Sequence, residues 1–132
     1  MIFRVLDYET TGFAEDEKAE VIEIGTTDLV ADDENESDDL GRSWQTFVKP
    51  TGPIPPETRA VHHITDAEVA DARTFQDLSG GIFDGLEPDD ILVAHNADFE
   101  KHFTPASDHR WIDTYKVALV AWPDAPGHSN QV

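Results

Sequence analysis

The chain has 132 residues, with 9 Lys plus Arg against 28 Asp plus Glu and a formal net charge of −19. That length fits one compact domain, and so strong a polyanion is a poor general binder of nucleic acid, where phosphates dominate affinity. The lack of cysteine excludes disulfides and thiolate metal sites. With no membrane-length apolar run and no signal-peptide pattern, a cytoplasmic protein is expected.

In chain order, MIFRVLDYE reads as a first strand. AEVIEIGTTDLV, alternating Val21 and Glu23 against Ile22 and Ile24, reads as a second. SWQTFVKP reads as a third strand closed by Pro50, completing a meander whose second turn is long and acidic. TGPIPP is a loop, and PETRAVHHIT starts a short helix with Pro56 in its first turn. Phe75, Leu78, Ile82 and Leu86 follow helical spacing across a weak point at Gly80 and Gly81. DDILVAHN is a buried strand, ADFEKHF a short helix and RWID a strand end. DTYKVALVAW is a helix capped by Asp113, with Tyr115, Ala118, Leu119 and Trp122 on one face and Pro123 ending it. This order predicts one α/β domain with a mixed sheet.

The acidic runs AEDEKAE and ADDENESDD fall between apolar segments and read as solvated loops. A calcium loop is the alternative, but the second run lacks an internal turn glycine. Asp7 and Glu9 carry more information. Side chains two apart on a strand share a face, so Phe3 and Val5 give way to two carboxylates at the strand's end. Such a pair repels, and one member loses its charge unless a cation joins them. A hard divalent ion with oxygen ligands meets that need; a solvated strand end is the simpler alternative. His95, Asn96 and Asp98 follow the buried strand, at the sheet end where ligands of open α/β folds bind. Asn96 and Asp98 also suit helix capping. The six histidines match no common zinc spacing.

Taken together, LDYETTG, VIEIG, VHHIT and LVAHNADFE resemble, in order and spacing, the DEDD (DnaQ-like) superfamily of 3′–5′ exonucleases. RAVHHITDAEVAD and WIDTYKVALVAWPDAPGHSN extend the resemblance over nearly the whole chain. It implies an α/β, ribonuclease H-like mixed sheet flanked by helices, with two Mg2+ or Mn2+ ions roughly 3.5–4 Å apart that stabilise attacking and leaving oxygens. Asp7 and Glu9 match the metal-binding pair of the first motif, and Asp98 matches the acid of the second. On that match Asp7 bridges both ions, Glu9 holds the ion that activates water, and Asp98 serves the other. The implied substrate-binding residues are Thr10, Thr11 and Gly12 against the terminal nucleotide, His62, Ile64 and Thr65 near it, and His95, Asn96 and Phe99 in the second motif.

The implied partner is a DNA 3′ end, single-stranded by preference, cut to nucleoside 5′-monophosphates. An exoribonuclease of the same superfamily and a catalytically dead nucleic-acid- or protein-binding module are the alternatives. Arg59, Arg73, Lys101, Arg110 and Lys116 are candidate strand guides. The third motif supplies a His or Tyr general base with an aspartate five residues after the histidine, and nothing up to Val132 matches it. Residues 1–132 are therefore expected to form one exonuclease domain lacking its C-terminal helix, weakly active or inactive, with Ser129 as the N-cap of that helix. A homo-oligomer is one way to cover the apolar face so exposed.

Overall fold

The computed structural model describes residues 1–32, 34 and 37–129. Among them, five strands form one mixed sheet: β1 (Ile2–Thr10), β2 (Val21–Asp32), β3 (Ser37–Phe47), β4 (Ile91–Ala94) and β5 (Arg110–Asp113). Their order is β3-β2-β1-β4-β5. β1, β2 and β3 are antiparallel neighbours, whereas β4 runs parallel to both β1 and β5. The helices are α1 (Pro56–His62), α2 (Asp66–Val69), α3 (Phe75–Leu78), α4 (Ala97–Phe103) and α5 (Thr114–Ala121), and a 3₁₀ turn spans Ser79–Phe83. This is the mixed α/β sheet with flanking helices that the sequence predicts. No helix among the described residues is long and apolar enough to cross a membrane.

The strand pattern places the acids. Arg4, Leu6, Tyr8 and Thr10 are buried, and Val5, Asp7 and Glu9 occupy the more open face. Leu6, Tyr8, Ile24, Val48, Ile82 and Leu92 make the main core, against which Trp44, Phe75, Phe99, Phe103 and Trp111 pack. All four residues of β4 are buried, as expected of a strand paired on both edges and covered on both faces. Ile22, Ile54, Ile64 and Val69 form a second cluster. The pairing of β1 with β2 slips after Glu9, from Glu9↔Glu23 to Thr10↔Val21. Ile22 is the extra residue of this bulge, and its side chain serves the second cluster rather than the first. The bulge thus bends β2 where it runs beside the end of the acid pair.

Arg4 is a buried cation on β1. Its Nε and Nη2 donate to the two carboxylate oxygens of Asp28 at 2.6 and 2.7 Å. Nη1 donates to the carbonyls of Ile82 and Asp84, both at 2.9 Å. The pair therefore ties two strands to the turn over the core.

Four details depart from the sequence reading. The second strand continues to Asp32 and the third begins at Ser37, so the ladder Ala31↔Asp38, Asp32↔Ser37 runs through part of the acidic segment. Main-chain pairing carries a hairpin outward regardless of side-chain charge; Asp33, Asn35 and Glu36 lie outside the described residues. The helix expected across Gly80 and Gly81 breaks into α3 and the 3₁₀ turn, because glycine is costly in a helix interior. A short α2 follows α1, started by a capping box in which Thr65 and Glu68 bond each other's backbone N–H. On α5 no residue is fully buried, and Val117, Val120 and Trp122 are exposed. The helix expected to follow Ser129 lies outside the described residues.

Candidate active site

Val5 of β1 pairs with Val93 of β4, so the two parallel strands leave the sheet side by side. One ends in Asp7 and Glu9, the other in His95 and Asn96. Asn96 turns the chain into α4 with a left-handed backbone (φ 71°, ψ 58°) and no side-chain cap of its own. The capping is done from a distance: Asp113 Oδ1 accepts the Asn96 N–H at 3.1 Å and those of Tyr115 and Lys116 at 3.0 and 3.3 Å. Burial pushes the Asp113 carboxyl up, but the N–H groups of Lys116, Asn96, Ala97 and Tyr115 outweigh it and hold the group below its ordinary value. One carboxylate thereby fixes the starts of both α4 and α5.

This geometry sets which acid of α4 reaches the strand pair. Asp98 points outward, its side chain 70% exposed and 3.3 Å from Lys116 Nζ. Glu100 points inward and is only 3% exposed. Its Oε2 is buried with no hydrogen-bond partner among the described residues. Burial, with Asp7 and Asp113 nearby, pushes its carboxyl up to about 7, against a smaller opposing pull from its own backbone N–H. Asp7 is raised by burial, and Glu9 by burial followed by the charges of Asp7 and Glu23.

Asp7, Glu9 and Glu100 line one cavity of about 390 Å³, shared with Tyr8, Thr10, Gly12, Phe13, Glu57, Thr58, Val61, His62, Asn96 and Phe99. It contains no lysine or arginine. A second cavity of about 450 Å³ on the open sheet face also reaches Asp7 and Glu9, beside Glu23 and Gly25.

Of the residues singled out from sequence, the cavity gathers Asp7, Glu9, Thr10, Gly12, His62, Asn96 and Phe99. Five stand elsewhere. Asp98 is on the surface with Lys116. Thr11 accepts the Glu20 N–H at 2.9 Å and braces the following loop. Ile64 is core, and Thr65 caps α2. His95 is committed on both nitrogens: Nε2 donates to the His128 carbonyl at 2.5 Å, and Nδ1 shares a hydrogen bond with the Thr114 hydroxyl at 3.0 Å. Gly12 is closely packed in its own loop, where a Cβ would meet Asp16 Oδ2 at 3.0 Å and Ala19 Cβ at 3.3 Å. Glu100 is the residue the sequence reading missed. Its available signal was position: it shares the inward stripe of α4 with buried Ala97, three residues earlier, and a charge on a buried stripe is the informative case.

The three acids suit a divalent cation in kind, being hard oxygen donors with unmatched negative charge and one orphaned buried oxygen. They are not already drawn together: among the described residues no three His, Asp or Glu side chains converge closely enough to hold a metal. Without an ion the raised carboxyls carry a pH signature. A raised folded-state pKa contributes stability that is present below the unfolded value and lost as pH rises through the folded one. The ion-free protein is therefore expected to melt at progressively lower temperature as pH climbs through about 7, the Glu100 value. Glu100→Gln should flatten that slope, and an unchanged slope in the variant would remove Glu100 from the account.

A mixed sheet of order 3-2-1-4-5 with carboxylates at its central strand ends defines a ribonuclease H-like nuclease architecture. Residues 5–122 match the RNase T exonuclease family, and the chain belongs to it, within the DEDD superfamily. It is 31% identical over 122 residues to exodeoxyribonuclease 10 of Escherichia coli K12, covering 92% of this chain and 49% of that protein. To the DNA polymerase III subunit epsilon of Treponema pallidum it is 28% identical over 135 residues, covering 96% of this chain and 59% of that protein. The chain thus spans about half the length of these relatives. Among solved structures, exonuclease X in complex with 5′ overhanging duplex DNA matches with a TM-score of 0.78 and 32% identity, over 97% of this chain and 68% of that one. Exonucleases of this DnaQ-like kind generally use divalent metal ions.

Proposed function

We propose that this chain is the core of a metal-dependent 3′–5′ exonuclease that removes nucleoside 5′-monophosphates from DNA ends. The observation that carries it is that Asp7, Glu9 and Glu100 line one cavity that has an apolar rim and no Lys or Arg. Asp7, Glu9 and Glu100 would hold two Mg2+ or Mn2+ ions, which supply charge neutralisation at the phosphodiester and a nucleophile from bound water. Phe13, 75% exposed, with Val61 and Phe99, offers apolar surface for the terminal base, and Thr10 and Gly12 present backbone beside it. DNA is favoured because exodeoxyribonuclease 10 takes its name from it and exonuclease X was captured on it.

Among the described residues the cavity offers no unengaged imidazole to take the proton of the attacking water. His62 is the one imidazole in the cavity, and its Nδ1 already accepts the Ile64 N–H at 3.0 Å. Burial lowers its basicity further, with the Glu23 charge only partly offsetting this. On this account turnover is expected to be slow. With Mn2+ and excess protein, a 5′-labelled DNA strand is expected to shorten slowly and stepwise from its 3′ end, faster than the matched RNA, and not at all with Asp7→Asn. Cleavage that survives Asp7→Asn, or wild-type protein that binds no divalent ion by calorimetry, would reject the assignment.

A further inference from the structure

We propose that this chain's hold on a DNA 3′ end is maintained or strengthened as monovalent salt rises, the reverse of the usual dependence; this rests on the nuclease assignment above. Proteins normally grip phosphates with Lys and Arg and release counter-ions, so affinity falls steeply with salt. Here the cavity that would take the 3′ end is lined by four carboxylates, Asp7, Glu9, Glu57 and Glu100, and by no Lys or Arg. The cavity on the open face adds Glu23 and again no cation. None of the nine Lys and Arg lines either of these two cavities. Arg4 is buried against Asp28, and Lys116 lies on Asp98 and Asp113. Lys18 and Lys49 line neighbouring cavities, each shared with Glu20.

Inside the cavity a strand is held by the apolar rim, backbone and bound divalent ions. Stacking on apolar surface involves no counter-ion release. Against it stands the field of a −19 protein repelling a polyanion. Salt removes that repulsion, because the screening length falls from about 10 Å at 0.1 M to about 3 Å at 1 M. The stacking contacts survive and the opposing term fades.

The test measures fluorescence anisotropy of a 5′-labelled oligodeoxynucleotide with phosphorothioate linkages at its 3′ end, at fixed excess MnCl2, with circular dichroism confirming the fold at each salt. From about 0.1 M to about 1 M KCl, Kd is expected to stay within about threefold or to tighten, whereas four Lys or Arg contacts would cost several hundred-fold. A Glu15→Lys/Glu17→Lys variant, altered in the exposed 14–20 loop, should bind more tightly than wild type at the low end and lose that advantage at the high end. Weakening of wild type by more than about tenfold overturns the inference and leaves the nuclease assignment standing. Absence of binding at every salt, in protein that still binds Mn2+, overturns the assignment and the inference with it.

Discussion

Glu100→Gln is expected to weaken Mn2+ binding by on the order of 100-fold and, at about pH 8 without metal, to stabilise the fold by about 1–3 kcal/mol. The two effects have one cause. Glu100 holds a buried oxygen without a partner and sits near Asp7, so its charge is costly until a cation arrives. Glutamine keeps the shape, removes the charge and provides a poorer ligand. Stability gained where a ligand is lost is the usual trade at a functional position. Asp98→Asn is the control: exposed and paired with one lysine, it should change stability by no more than about 0.5 kcal/mol and Mn2+ binding by no more than about twofold. Calorimetric titration and thermal melting of both variants decide the matter. If Asp98→Asn abolished binding and Glu100→Gln did not, the second-motif acid would be Asp98 and the inward turn of α4 would have no bearing on the metal.

Arg4→Met should cost about 3–5 kcal/mol, a large part of the roughly 5–15 kcal/mol that holds a typical domain together. The loss leaves Asp28 buried and charged without its partner, and strands the carbonyls of Ile82 and Asp84. Arg4→Met with Asp28→Leu should recover much of the stability, since a buried ion pair replaced as a unit by apolar groups is often neutral. Urea midpoints at constant slope give both numbers. A single-variant cost below about 1 kcal/mol would mean the pair is solvated in solution. Function is linked to this pair through the strand: Arg4 lies three residues before Asp7 on β1, and loosening it would blur the position of the first acid.

Several parts of this protein are legible in the chain because they depend on near neighbours. The alternation along Phe3, Val5, Asp7 and Glu9 puts both acids on one face through the pleat alone. The apolar run of β4 marks a buried strand, and Asp113 before a helical stretch marks a cap. The order of motifs points to the nuclease family without any fold in hand. Other parts were not readable. Gly80 and Gly81 weakened a helix, but only the core's demand for Ile82 settled that the chain turns there as 3₁₀. The partnership of Arg4 with Asp28 spans two strands, and nothing local announces it.

The candidate site shows the same division. Residue order alone puts the start of α4 just past a buried strand and gives it two acids, Asp98 and Glu100. Which of them turns toward Asp7 depends on how α4 packs on the sheet. The rotation of α4 about its axis follows from the left-handed turn at Asn96 and from Asp113, which accepts the Asn96 N–H from 17 residues further along. Period is a property of neighbouring residues and can be counted along the chain. The phase of a helix against the sheet is fixed by contacts between segments far apart in sequence, and it appears only when they meet.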